Sequence, residues 1–330
     1  MAGQIWTVAG EGGFAYSDEL SDYMRIVTQQ LTKFRQFCDA PDGEQKGLNR
    51  GDLFHWNVYT NIGTQGRQLD ERQAMPEGGF TILQRTLTIT EAGMSVPFTG
   101  KLMDLAKHDI MAIINQTLKN DARKFFDIQA FLQFKQTVLR AAPTAGTSLT
   151  SVTVSTGGST AITNNVGLNT GHIKALSDYA KEANIPPFKD DDYMMISRPT
   201  TYRPFKNTLE GIKQYTVLGI AEIFAGEIGR YENTRFIEQT FIPAGGSDAS
   251  VLFDPYAQVA DPWTNGLSSW AFLFGADTVT EAIALPEEIR AKIPDDYGRS
   301  RGVAWYYLGG FGICHPDAAN AKIVMWDSAT

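Results

Sequence analysis

The segment GEGGFA, residues 10–15, has the spacing of a dinucleotide-binding turn, with Gly10, Gly12 and Ala15 in the order G-x-G-x-x-A. In such a turn the glycines let the backbone approach a pyrophosphate, which the N-terminus of the next helix binds. Here the helical pattern begins only at Ser17, the predicted N-cap. The glycines therefore lie about a turn or more from that N-terminus, and we expect a flexible N-terminal loop instead of a cofactor site.

Other catalytic patterns fail on residue type or spacing. The segment GMSVPFTGKL places six residues between Gly93 and Gly100, where a P-loop has four, and Leu102 stands where a Mg²⁺-binding hydroxyl belongs. The chain contains neither G-x-S-x-G nor H-E-x-x-H. The histidines are isolated from one another: His55, His108, His172 and His315. We therefore predict no catalytic residue, no cofactor and no metal site, and hence no enzyme.

Two further groups have ordinary interpretations. The run KDDDY, residues 189–193, sends consecutive carboxylates to opposite sides and lacks EF-hand spacing, which favours a solvated acidic turn. Cys38 and Cys314 are far apart in sequence and have no partner at metal-ligand spacing. We expect both to be small apolar groups in a reducing compartment.

Composition limits the partners. The 330 residues are 43% hydrophobic and 20% charged, which is typical of a soluble globular protein with about two domains. The formal charge of −8 is the opposite of the positive charge that nucleic-acid-binding proteins use to bind phosphates. No apolar run is long enough for a membrane span, and the first residues lack a signal-peptide pattern. We therefore expect a chain made and kept in the cytoplasm, without membrane contact.

The sequence pattern in the first third of the chain predicts a helix followed by a long hairpin. Apolar residues at helical spacing predict a helix over 18–37. Phe54, Trp56 and Val58 then alternate with polar residues, and TILQRTLTITEAG alternates again, so these two segments are the predicted arms of a hairpin.

The loop between the arms, residues 63–79, is too long for a tight turn and carries charges of both signs. The charged residues are Arg67, Asp70, Glu71 and Arg72. A floppy surface loop and an arm that meets a neighbouring molecule through complementary charges remain open alternatives.

The longest helical pattern covers residues 101 to about 138, with apolar residues every three or four positions and neither proline nor glycine. A single helix of that length would be roughly 50 Å long. We predict a spine for an extended molecule.

A denser region follows a Ser/Thr-rich connection, in which a short strand is expected around Val152 and Val154. TGHIKALSDYAKEANIPP predicts a capped helix, and YMMISRP predicts a buried strand stopped by Pro199. In AGEIGRYENTRFIEQT, Gly226 is predicted to end a helix in a left-handed conformation, and Gly229 to let the backbone turn into the next strand.

The order of these segments resembles the major capsid proteins of tailed bacteriophages, specifically the N4-type family. The likeness covers roughly residues 168–330 and includes TRFIEQT after the glycine pair, the later WAFLFGADTVTEAI, DDYGRSRGVAWYYLGG and the terminal AKIVMW. The hairpin and spine agree by layout only. Trp305-Tyr306-Tyr307 departs from the family, in which a lysine often follows the tryptophan, so a family surface charge is in doubt there.

The resemblance implies an α+β, HK97-like fold with an N-terminal arm (1–48), an extended hairpin or E-loop (49–100), a peripheral domain (101–167 and 300–330) and an axial domain (168–299). It implies self-assembly as hexamers and pentamers into an icosahedral virion shell around double-stranded DNA, without sequence-specific DNA binding. Scaffolding, portal and decoration proteins are the further partners it implies. An encapsulin-like compartment of the same fold is the first alternative, and an oxidoreductase resting on GEGGFA alone is the second.

The hairpin sequence bears on how such a shell is held together. Some capsids of this fold join subunits through a hairpin lysine that attacks a neighbour's asparagine side chain. This chain has no lysine between Gly51 and Thr99. The nearest lysines, Lys46 and Lys101, only flank the hairpin. Arginine is a poor nucleophile, so the sequence predicts a shell held by noncovalent contacts.

Overall fold

The computed structural model describes residues 32–38, 51–60, 66–69, 71–72, 74–158, 166–213, 230–242, 268–294 and 296–329. Several sequence predictions fall wholly or partly outside these ranges: the GEGGFA segment, most of the first helix, Asp70 of the charged loop, and the turn at Gly226 and Gly229. The described part is an α+β structure, as predicted.

The described strands, in chain order, are β1 (Leu53–Tyr59), β2 (Ile82–Thr88), β3 (Thr90–Thr99), β4 (Leu139–Pro143), β5 (Val152–Ser155), β6 (Tyr193–Ser197), β7 (Arg230–Tyr231), β8 (Thr234–Glu238), β9 (Ser268–Phe274), β10 (Val279–Ala291), β11 (Ser300–Ile313) and β12 (Ile323–Ala329). The described α-helices are α1 (Gly100–Leu105), α2 (Ile110–Lys135), α3 (Thr170–Glu182) and α4 (Arg203–Lys213).

The predicted hairpin is confirmed. β1 and β2 pair antiparallel, from Leu53 opposite Thr88 to Tyr59 opposite Ile82. The segment TILQRTLTITEAG does not stay in the hairpin throughout, because its last residues begin β3, which pairs with β11 instead. The hairpin is a two-stranded sheet, and β3 belongs to a separate three-stranded sheet in the order β10-β11-β3.

The predicted spine over 101–138 is wrong at its N-terminal end. α1 ends at Leu105, Ala106 is extended, and the long helix α2 begins at Ile110. The Asp109 carboxylate caps α2 by accepting hydrogen bonds from the backbone N–H groups of Met111 (2.9 Å) and Ala112 (3.2 Å). The spine therefore has 26 residues, and it packs on β11 and β3.

The seven-stranded sheet, in the order β5-β4-β12-β9-β6-β8-β7, forms the centre of the molecule. Its central strands are apolar on both faces, as a strand covered on two sides requires. On one face, Met194, Phe272 and Met325 pack into the cluster that includes α2. On the other face, the alternate residues of the same strands pack against α3 and α4.

The predicted helix and strand of the denser region are confirmed as α3 and β6. Asn169 caps α3, with its side chain accepting from the backbone N–H of His172, and all five residues of β6 are buried. The predicted short strand in the Ser/Thr-rich connection is β5. The C-terminal residues divide between the sheets: β11 runs beneath the spine, and β12 lies between β4 and β9 in the central sheet.

Candidate functional site: the hairpin and the arm anchor

The base of the hairpin rests on a glycine-lined part of β11. A Cβ atom at Gly312 would lie 3.1 Å from the Trp56 ring, and one at Gly310 would lie 3.1 Å from the carbonyl oxygen of Thr88. Phe54 and Ile89 also pack there against Ala282. Because Gly310 and Gly312 have no side chains, the base of the hairpin packs directly on the backbone of β11 at these two positions.

Beyond its base the hairpin makes few contacts with the body. An ion pair joins Arg85 of β2 to Asp317, which follows β11. Farther out, large apolar side chains are exposed to solvent, including Met75 at 70% and Phe80 at 63% of their surface. The others on this part of the chain are Tyr59, Leu69 and Ile82. A narrow two-stranded ribbon that exposes such residues is suited to contact another molecule.

The predicted contact residues lie at the far end of the hairpin. Arg67, Glu71 and Arg72 are exposed, and Asp70 lies outside the described residues. Their role in contacting another subunit stays a prediction.

A second exposed apolar surface lies at the end of the β10–β11 hairpin. Ile293 is 86% exposed, and Ile289 and Tyr297 are exposed beside it. Arg290 lies over the ring of Tyr306, with its guanidinium carbon 3.8 Å from the ring centre. The large apolar side chains of this surface and of the outer hairpin are exposed in the part of the chain that the structure describes.

The segment of residues 32–38, here called the arm anchor, is held in the body by two phenylalanines. Phe34 is fully buried, and its ring centre lies 5.3–5.8 Å from four other phenylalanine rings: Phe131, Phe134, Phe241 and Phe272. Phe37 packs edge-to-face on Phe188 at 5.3 Å and on Phe274 at 5.2 Å. Aromatic pairs in such geometry stabilise the fold beyond their buried area. The anchor is therefore part of the main hydrophobic core.

Arg35, between these two phenylalanines, connects the anchor to β10. Its guanidinium donates to Glu281 (2.9 and 3.2 Å) and to Glu287 (3.0 and 3.2 Å). It also lies 4.1 Å from the centre of the Phe126 ring. Burial alone would lower the pKa of Arg35, but the hydrogen bonds that it donates to Glu287 and Glu281 outweigh burial and raise that pKa. Arg35 therefore remains a cation, and its pairing lowers the pKa of Glu287 despite partial burial.

The phenol of Tyr307 completes this group of residues. Its hydroxyl donates to Oε1 of Glu281 at 3.1 Å, and its ring packs on Phe126 with centres 4.7 Å apart. Burial, with the nearby charge of Glu281, raises the pKa of Tyr307 well above its ordinary value. The phenol therefore stays protonated and acts as a donor.

Asp127 of α2 holds the backbone of the anchor. Its side chain is only 1% exposed, and its Oδ1 accepts from the backbone N–H of Arg35 at 3.1 Å, while Oδ2 accepts from Nε2 of Gln239 at 2.6 Å. The backbone N–H groups of Lys33 and Phe34 also face this carboxylate. Burial raises the pKa of Asp127 to about 6, although these hydrogen bonds act to lower it.

These bonds explain a second difference from the sequence prediction. Residues 32–34 are not helical, and only Arg35–Phe37 form a 3₁₀ turn, so the predicted helix does not continue unbroken to residue 37. The N–H groups that a helix would direct to preceding carbonyls here face Asp127 instead. A contact made 92 residues away in sequence thus overrides the local helical pattern.

The predicted solvated acidic turn at 189–193 is wrong for one residue. Asp192 is fully buried and pairs with Arg235 (2.6 Å) on β8 and with Arg230 (2.6 Å) on β7. Asp190 and Asp191 are exposed, as predicted. Asp192 fixes the turn before β6 to the edge of the central sheet.

Within the described ranges, no group of three or more His, Cys, Asp or Glu side chains is placed to hold a metal ion. His172 has a structural position: its Nε2 lies 2.8 Å from the carbonyl oxygen of Ser148, and its ring lies against Trp326. Burial lowers the pKa of His172. No helix in the described part is long and apolar enough to span a bilayer.

Comparison with solved structures identifies the architecture. The chain matches the capsid of cyanophage Pam1 with a TM-score of 0.70 and 14% identity, covering 95% of this chain and 96% of that one. It matches the capsid of cyanophage P-SCSP1u with a TM-score of 0.68 and 12% identity, over 96% and 93% of the two chains. The match to the capsid of Ralstonia phage GP4 has a TM-score of 0.68 and 14% identity, over 95% of each chain.

The chain has the HK97-like capsid fold. No protein-family model matches the chain, and no curated protein matches it by sequence. Since the identities are this low, the likeness concerns the fold, and it extends over nearly the whole length of the chain and of the proteins that it matches.

Proposed function

We propose that this chain is the major capsid protein of a tailed bacteriophage of the N4-type family. Copies of it assemble as hexamers and pentamers into the icosahedral shell that encloses the double-stranded DNA genome. The observation that carries this proposal is the full-length match to phage capsid chains, which leaves no sizeable part of this chain for another role.

The exposed surfaces support self-association. The hairpin presents Met75 and Phe80 to solvent, and the β10–β11 end presents Ile293 and Tyr297. These are separate regions of one chain, so each copy can contact several neighbours through different surfaces. In a shell, symmetry would repeat each of these contacts many times.

The proposal also assigns the parts of the chain. The N-terminal arm is residues 1–48, the extended hairpin is 49–100, the peripheral domain is 101–167 with 300–330, and the axial domain is 168–299. Scaffolding and portal proteins are the expected assembly partners, and a decoration protein is a further one. The shell wall, with a net charge of −8 on each chain, would hold DNA without sequence-specific contacts. The assigned location is the virion, with assembly in the host cytoplasm, and the role requires no catalysis.

Electron microscopy of the purified chain tests the proposal. Round shells of uniform size are the expected result, alone or after coexpression with scaffolding protein. A small oligomer that persists under all these conditions would contradict the proposal.

The content of the particles separates this function from an encapsulin-like compartment. Particles from infected cells should have the ultraviolet absorbance ratio of packaged nucleic acid. A protein-only spectrum, together with a co-purifying cargo enzyme in mass spectrometry, would favour the compartment instead.

A further inference from the structure

Most edges of the described sheets are protected against pairing with another chain. In the three-stranded sheet, the edge strand β10 contains Pro286 and two register shifts, and the other edge strand, β3, contains Pro97. In the central sheet, the edge strands β5 and β7 have only four and two residues. Proline, irregular register and short length all hinder the addition of a further strand. Among the described sheets, only the hairpin has long, regular edges without these features.

Two hydrogen bonds show which backbone groups of the hairpin point outward. The N–H of Ile89 donates to the carbonyl oxygen of Asp52 (2.7 Å), and that of Thr60 donates to the carbonyl oxygen of Thr81 (2.9 Å). Both pairs continue the register of β1 and β2. Because bonded and non-bonded pairs alternate along an antiparallel ladder, the even-numbered residues of β1 bond to β2. The odd-numbered residues direct their N–H and C=O groups to the outer edge of β1, among them His55, Asn57 and Tyr59.

The outer edge of β1 is open, whereas that of β2 is obstructed at its base. The carbonyl oxygen of Thr88, on β2, lies 3.1 Å from where a Cβ atom of Gly310 would be, so this end of β2 lies against β11. His55, Asn57 and Tyr59 are all exposed, and in the described part of the chain β1 pairs with β2 alone. The edge of β1 is thus a row of backbone donors and acceptors available to an added strand.

We propose that this edge pairs antiparallel with β1 of a second copy of the chain, about a two-fold axis at Asn57. The two hairpins then form one four-stranded sheet, with the bodies of the two copies at its opposite ends. The inference deepens the proposed function and rests on it, because shell assembly is what brings the copies together.

The edge of β1 is complementary to itself, as a two-fold contact requires. When Asn57 lies opposite Asn57 of the second copy, His55 lies opposite Tyr59 of that copy. All three residues then exchange both backbone bonds with the facing strand, which gives about six hydrogen bonds. β1 contains no Lys, Arg, Asp or Glu, so two copies of it meet without repulsion between like charges.

The side chains of β1 match the same register. Phe54, Trp56 and Val58 share the less exposed face of the hairpin. In the proposed pairing, Trp56 lies opposite Val58 of the second copy, in a non-bonded pair where side chains approach most closely. Pairs of an aromatic and a β-branched residue stabilise a sheet. A four-stranded sheet with one apolar face also removes the marginal stability of an isolated two-stranded ribbon.

A cysteine on the proposed axis tests the pairing. Across a bonded antiparallel pair the Cα atoms are about 5.5 Å apart, which a disulfide spans. Particles of the Asn57→Cys variant are treated with a mild thiol oxidant, alkylated and run on a denaturing gel without reductant. A band at twice the chain mass of 36.4 kDa is expected. Cys38 and Cys314 are present in every variant, and the wild-type chain measures their background.

Two single variants are matched controls. Gln84→Cys lies opposite Asn57 on β2 and is also exposed, but its two copies would be three strand spacings apart, about 14 Å. His55→Cys lies on the same edge, but its two copies would be offset by four residues, again about 14 Å. Since a disulfide does not span that distance, the dimer yield of each should be at least about tenfold below that of Asn57→Cys.

A mixed assembly tests the register. Coassembly of His55→Cys chains with Tyr59→Cys chains should restore the dimer, because these two residues face each other in the proposed pairing. Absence of a dimer from Asn57→Cys particles would overturn the proposal. Equal yields from Asn57→Cys and Gln84→Cys would also overturn it, because they would indicate random collision of exposed thiols.

Hydrogen exchange of the wild-type chain gives a second measurement. The amides of His55, Asn57 and Tyr59 should exchange at least about tenfold more slowly in particles than in the dissociated chain. Protection without a dimer from Asn57→Cys would show that a different segment occupies the edge, and would overturn the pairing with a second β1. If Asn57→Cys does not assemble, unchanged exchange at these amides in wild-type particles overturns the proposal.

The two proposals fail in different ways. Shells that give neither the dimer nor the protection would overturn the β1 pairing and leave the capsid proposal intact. If the chain forms no shells, the capsid proposal fails, and the same cysteine variants are oxidised as concentrated soluble chains. Absence of the Asn57→Cys dimer there would overturn the pairing as well.

Discussion

The strands of the central sheet and those of the extended hairpin differ in sequence pattern and in burial. In the central sheet, β6 and β9 are covered on both faces, and rings such as Phe272 are fully buried. In the hairpin, β1 and β2 have only each other as partners, and their outer apolar residues face water. The difference shows that the body is stable by its own packing, whereas the outer hairpin gains little stability within its own chain.

The largest expected effect is on the free energy of unfolding and concerns the central sheet. Phe272→Ala removes a fully buried ring that contacts Phe34, Phe131 and Phe134. The free energy of unfolding should fall by about 3–5 kcal/mol in urea denaturation of the dissociated chain.

Phe80→Ala is the matched control, because it removes the same ring from the exposed hairpin. It should change the unfolding free energy by less than about 0.5 kcal/mol. Equal losses in the two variants would remove the distinction between the two regions.

The second prediction concerns the place where the two regions join. Gly312→Val would put a branched side chain where even a Cβ lies 3.1 Å from the Trp56 ring, so the hairpin base must shift. We expect a loss of about 1–3 kcal/mol in unfolding free energy and a change in tryptophan fluorescence. Gly79→Val, at a glycine with open space around it, is the control and should leave both measurements unchanged.

The third prediction sharpens the role of the hairpin end. The double change Arg67→Glu and Arg72→Glu should reduce the yield of shells, because it reverses the charges with which the hairpin would meet a neighbour. The unfolding free energy of the dissociated chain should stay the same, since both residues are exposed.

A control with the same change of charge is Lys174→Glu with Lys181→Glu, at exposed positions on α3. Shell yield from this control should exceed that of the hairpin variant. Normal assembly of the hairpin variant would show that its charged end is only a surface loop.

The smallest expected effect is none at all. Because the hairpin has no lysine, boiling purified particles in detergent with reductant should give a single band near 36.4 kDa. A ladder of multimers would reveal a covalent link between subunits and would contradict the expectation of noncovalent cohesion.

The sequence predicted those elements whose residues follow a local pattern. The alternation at Phe54, Trp56 and Val58 gave the hairpin, and the unbroken apolar run at Tyr193 gave β6. The start of the spine was wrong because the apolar spacing continues through the break. The available signal was Asp109, an N-cap residue directly before Ile110.

The arm anchor could not be predicted in this way. Arg35 meets Asp127 and Glu281 across 92 and 246 residues, and no local pattern records such distances. The same holds for Asp192, whose buried pairing depends on two arginines of later strands. Buried charges of this kind find their partners only in the tertiary structure. In the sequence alone they cannot be told from charged surface residues.

The hairpin contacts β11 at its base, at Gly310 and Gly312, so a small change of angle there would move its outer end by a larger distance. Seven residues of β1 span about 24 Å, so a tilt of about 5° at the seat would displace the outer end of the strand by about 2 Å. A displacement of that size is several times the range of about 0.5 Å within which hydrogen-bond lengths fall, so it would break or replace polar contacts at the outer end. In a closed container made of this chain, the bare backbone at Gly310 and Gly312 would therefore help to set the curvature of the wall.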